Sequence, residues 1–175
     1  MGNKKNKWIL LATFVVLFLI VFTPLHRLSY FGVYRSAELE PNEILSIDEI
    51  NDFMKVWSKF LISDASRLMG RTSLSQGNEI PSQVSRWVAT QGWEAKRFFA
   101  VERRLRELVN ISNLQNNLAS NIQMQNKTSG GNLRAIIEMQ EKTLAAAKYN
   151  QQELDIVVAN LYQISQVLDG KAIMK

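Results

Sequence analysis

From Trp8 to Leu25 the chain carries no charge, and between Trp8 and Phe22 every residue except Thr13 is apolar. Such a run falls within the ~17–25 residues that cross a bilayer as a helix. It has no polar stripe, so it does not read as a helix lying on a soluble core. Lys4, Lys5 and Lys7 precede it, and His26 and Arg27 follow it. The positive-inside rule then keeps residues 1–7 in the cytoplasm and sends the remainder out. Trp8 suits the interface, and Phe14, Phe18 and Phe22 suit the hydrocarbon. After Phe22 the chain reads Thr-Pro-Leu-His-Arg-Leu-Ser-Tyr, without the small-residue triplet that a signal peptidase needs. The reading is an uncleaved signal anchor over 8–25. It sits in the inner (cytoplasmic) membrane, with the domain in the periplasm or exterior. The alternative is a cleaved signal peptide and an exported helical binding or chaperone-like protein.

Composition narrows the chemistry. The chain has no cysteine and one histidine, His26. Thiol nucleophiles, disulfides and Cys-rich or multi-His metal sites are excluded. No phosphate-binding glycine loop, zinc-protease motif or paired carboxylate stands out. The expectation is therefore a non-enzymatic protein without cofactor or metal.

The net charge of +5 would fit a nucleic-acid partner, but its distribution does not. Lys4, Lys5, Lys7, Arg27 and Arg35 supply the whole excess, and residues 36–175 are balanced. A nucleic-acid binder needs its basic face on the folded domain. The expected partners are instead the lipid bilayer, through 8–25, and other envelope or membrane proteins, in a homo- or hetero-oligomer.

Residues 26–45 read as an acidic linker, with Glu38, Glu40 and Glu43 around Pro41. From 46 to 175 the pattern is helical throughout, an all-α bundle built on a long antiparallel hairpin. Ser46-Ile47-Asp48-Glu49 matches a capping box, with Glu49 reaching back to the Ser46 N–H. Apolar residues from Ile47 to Met69 predict one helix of about 23 residues, ended by Gly70. Residues 70–79 read as a polar loop. Pro81 opens a short helix to Gln91, and Gly92 either kinks or stops it. A long helix follows from Trp93 to about Asn126.

The segment 128–132, with Gly130 and Gly131, is the hairpin turn. A second long helix is expected from Leu133 to Leu168, with a heptad seam running Ile137, Gln140, Leu144, Ala147, Gln151, Leu154, Val158, Leu161, Ser165, Leu168. Its small and polar positions favour packing inside a bundle over a free-standing coiled coil. Folding back at the glycines pairs Ile122 with Ile137, Leu118 with Leu144, Leu105 with Leu154 and Phe99 with Leu161.

Three features are candidate contact surfaces. Residues 110–126 hold nine Asn or Gln and no charge, among them Asn113, Asn116, Asn117, Asn121 and Gln125. Amides can bind a partner helix without burying net charge. Arg97 and Arg104, seven residues apart beside Lys96 and Arg103, share one side of a helix. They read either as a docking face for an acidic partner or lipid headgroups, or as a solvated face, with the acidic stretch 38–52 of the same chain available to pair with it. Trp93, just after Gly92, is expected to be the most exposed of the aromatics near that bend, with Trp87 and Phe98 in the core.

Overall fold

Ser46 starts the first helix as the sequence predicts: its Oγ accepts the Glu49 N–H at 3.1 Å. In the structure, a computed structural model, the described residues are 39, 43–69, 80–127 and 131–174. They all belong to the compact unit Ser36–Lys175, and among them all regular structure is helical, with no strand. The helices are α1 (Ile47–Ile62), α2 (Asp64–Met69), α3 (Ser82–Thr90), α4 (Ala95–Gln125), α5 (Gly131–Ala146), α6 (Gln151–Ala159) and α7 (Leu161–Leu168). Among the described residues no helix is long and apolar enough to cross a membrane. The run 8–25 with Trp8, Phe14, Phe18 and Phe22, most of the linker, and the loop 70–79 lie outside the described residues.

The capping box is only half made. Glu49 does not return to Ser46; its carboxylate accepts from Arg97 Nε at 2.8 Å. Ser46→Ala removes the remaining cap and is expected to cost about 1 kcal/mol in chemical denaturation.

The single helix expected over 47–69 is two. Ser63 leaves the helical region (φ −83, ψ 159), and both its N–H and its Oγ donate to the Phe60 carbonyl. Serine competes with the helix ladder in this way, and Ser63-Asp64 is itself a fresh helix start. Gly92 is a stop rather than a kink. Its φ of 87 lets Gly92 N–H reach Ala89 O and Trp93 N–H reach Val88 O, the two bonds of a Schellman cap.

The second long helix is corrected to three. After Ala146 the chain straightens, and Asn150 restarts it by accepting from the N–H groups of Gln152 and Glu153. Asn160 interrupts it again (φ −119, ψ 16). The seam shifts with the break: Glu153, Leu154 and Val157 are buried, whereas Gln151 and Val158 are exposed.

The hairpin register survives through the first break. Asn121 Nδ2 donates to Gln140 Oε1 at 3.0 Å, and Arg104 Nε donates to Glu153 Oε2 at 2.8 Å. One number falls as the other rises, so α4 runs antiparallel to α5 and α6. The predicted pairing of Phe99 with Leu161 falls past the Asn160 bend. There α7 packs against both α1 and α4.

The core is shared by α1, α3, α4, α6 and α7, and its aromatic part lies where α1, α3 and α4 meet. Phe53, Trp57, Phe60, Trp93, Phe98 and Phe99 pack together there, with ring centroids 5.1 Å apart for Phe53 and Phe98 and 5.2 Å for Phe98 and Phe99. Leu45, assigned to the linker by sequence, is fully buried, so the folded part begins before Ser46.

Candidate functional site

Two of the predicted contact arginines are structural. Arg97 is 1% exposed, on the side of α4 that meets the start of α1. Its Nη2 donates to Glu43 Oε1 at 2.5 Å, and its Nε donates to Glu49 Oε1 at 2.8 Å. Burial works against the charged guanidinium. Hydrogen bonds to Glu43 and Glu49, with their charges, outweigh it and hold Arg97 above the usual arginine range. The docking-face reading is thus corrected for Arg97, and pairing with the acidic stretch is what forms. Arg104 donates instead to Glu153, whose other oxygen accepts the Leu45 N–H at 3.2 Å. Glu153 is fully buried. One carboxylate therefore ties α4, α6 and the segment that leads into α1 together.

Trp93 is also corrected. It is 2% exposed, and its Nε1 donates to Asp52 Oδ2 at 2.9 Å. The Gly92 cap turns the chain so that the indole faces Phe53 and Phe98 rather than solvent.

The amide-rich segment divides by helix face. Asn121 faces α5 through Gln140, and Gln125 is half-buried on the same side. Asn113, Asn116 and Asn117 are exposed. Together α4 beyond Ser112 and α5 form a two-helix arm, because α5 packs chiefly against α4. Large apolar side chains stand exposed on it: Ile122, Met124, Ile136 and Met139, the last at 64%. The sequence reading missed Ile136 and Met139. The signal was present: the heptad seam uses Ile137 and leaves its neighbour Ile136 on a second side.

Where the arm joins the bundle, a cleft of about 320 Å³ opens between α4 and α7, lined by Arg106, Asn110, Asn113, Ser165 and Asp169. Arg106 is held by Glu102 and by the Leu168 carbonyl. The Asp169 carboxyl sits below the usual range through its bond to Lys171, that lysine's charge, and Arg106. Among the described residues, no group of three or more His, Cys, Asp or Glu could hold a metal. His26 lies outside them.

The chain matches no protein-family model, and comparison with curated proteins and with solved structures finds no similar protein. The arm presents exposed amides and large apolar side chains together.

Proposed function

We propose that the chain is a non-enzymatic single-pass membrane protein whose exported helical domain serves as an interaction subunit of a cell-envelope complex. The observation that carries this reading is the arm. From Val109 to Asn126, α4 has no charged residue, yet Asn113, Asn116 and Asn117 are exposed on it with Met124. A purely solvated helix would gain from charged pairs along such a face. An uncharged amide and methionine surface instead suits burial against another protein. The lysines before the apolar run 8–25 support a membrane-held N-terminus in the cytoplasm.

The alternative is an exported binder with a cleaved signal peptide, whose client groove would be lined by Phe53, Met54, Trp57, Phe60 and Met69. The first four are buried and Met69 is half-buried, so the anchored reading is the one preferred.

The test is a mild-detergent pull-down from the native host with a C-terminal tag, reading the intact mass of the recovered chain. A full-length chain with stoichiometric membrane proteins supports the proposal. A chain shortened by about 25–37 residues and recovered alone overturns it. Deleting residues 1–25 is expected to move the protein from the carbonate-washed membrane pellet to the soluble fraction.

A further inference from the structure

The arm has two unlike faces. Leu114, Leu118, Asn121 and Gln125 of α4 turn toward Leu133, Ile137, Gln140 and Leu144 of α5, and all of these are buried or half-buried. One residue before each inward position on α4 lie Asn113, Asn117, Ser120 and Met124. The same step on α5 gives Asn132, Ile136, Met139 and Thr143. A one-residue step turns each helix by about 100° in the same sense about its own axis. Because the helices are antiparallel and face each other, both steps turn toward the same side of the arm. All eight residues are exposed and none is charged. The step in the other direction reaches Arg134, Glu138 and Glu141 on α5, with Arg134 bonded to Glu138 at 3.1 Å.

The neutral flank is already a helix-packing surface lower down. Arg106, Asn110 and Asn113 lie on it, and α7 sits there: Arg106 Nη2 donates to Leu168 O at 3.0 Å. Above α7 the flank continues from Asn113 to the end of α4 at Gln125, or ~20 Å.

We propose that a second copy of this chain covers the flank, its arm lying head-to-tail on the first. This deepens the reading of the arm as a contact element and rests on it. A twofold interface lays the same patch on itself, so a charged patch would repel its own copy. This one is neutral, with amides that both donate and accept. Orientation follows from α7, which fills the next layer at the base of the arm. Two arms pointing the same way would bring their α7 helices into one another. Two arms pointing opposite ways each fit into the space above the other's α7. Asn117 and Thr143 then lie near the twofold axis, and Asn132 lies far from it.

The full-length chain, purified in mild detergent, tests this by light scattering on a sizing column. A dimer is expected. Ile136→Glu and Met139→Glu should each convert it to monomer with unchanged helical circular dichroism, since both residues are exposed. Glu141→Lys, on the charged face, should leave the dimer. The absence of cysteine makes single Asn117→Cys and Thr143→Cys variants clean probes, and both should form disulfide dimers in membranes where Asn132→Cys does not. A monomer at tens of micromolar, or a dimer untouched by Ile136→Glu and Met139→Glu, overturns the proposal. So does cross-linking at Asn132 alone. Because the purified chain is used, a dimer here with an empty pull-down would defeat the heteromeric reading and leave self-association standing.

Discussion

Arg97→Ala is expected to destabilise the domain by about 3–5 kcal/mol, the cost of breaking a buried ion pair from one side. The two carboxylates it serves respond differently. The Glu43 side chain is 31% exposed and can take up water once released. The Glu49 side chain is 5% exposed and sits within the first turn of α1, where the helix holds it in place. A desolvated carboxylate without its guanidinium is the unfavourable species, so the loss should follow Glu49 rather than Glu43. Glu43→Gln should therefore cost much less than Arg97→Ala. Urea denaturation of the full-length chain, followed by circular dichroism, reads both. The double variant Arg97→Met with Glu49→Leu is the informative rescue. Replacing a buried pair by apolar side chains of similar volume is often neutral or stabilising. Recovery of most of the stability would assign the loss to the stranded charge. No recovery would mean that Arg97 positions the entry segment through Glu43.

That triad also marks the boundary of what the sequence makes legible. The hairpin register could be read, because apolar residues facing each other at a fixed numerical sum need only periodicity and one glycine turn. The breaks at Ser63, Asn150 and Asn160 were passed over because the apolar count ran through them. Ser63 and Asn160 turn side-chain donors back onto carbonyls of the preceding turn, and Asn150 with Glu153 spells a restart. The arginine cluster was harder. A row of Lys and Arg on a helix looks the same whether it faces water or a carboxylate. Glu43 and Glu49 lie 54 and 48 residues before Arg97, and Glu153 lies 49 after Arg104. Only the fold brings these groups together. Trp93 was misjudged for a related reason. Gly92 was recognised as a break, but the direction in which a Schellman cap aims the next side chain depends on the packing beyond it. The arm's second face was legible in principle, since Ile136 and Met139 have no place in the seam that Ile137 occupies.

Phe98→Ala is expected to cost about 3–5 kcal/mol, the range for removing a fully buried phenylalanine. Phe98 is 0% exposed and touches more of the aromatic core than any single helix supplies. Its ring lies 5.1 Å from Phe53, 5.7 Å from Trp57 and 5.9 Å from Phe60, all on α1, and 5.7 Å from Trp93. Two of these contacts, with Phe60 and Trp93, are edge-to-face, which adds to the burial free energy. Rings this large cannot close the void by small rotations, so the upper part of the range applies. At about 2–4 °C per kcal/mol for a domain of this size, the melting temperature should fall by roughly 10 °C or more. The neighbouring Phe98→Leu keeps most of the volume and should lose far less. The position also separates stability from assembly. The Phe98 cluster lies at the bundle end, whereas the neutral flank of the arm is built from α4 beyond Ser112 and from α5, which packs chiefly on α4. Phe98→Ala should therefore lower the melting temperature while the protein that remains folded still associates. Ile136→Glu should do the reverse. Thermal denaturation and light scattering on the same two samples separate the core that holds the domain together from the surface proposed to be its contact.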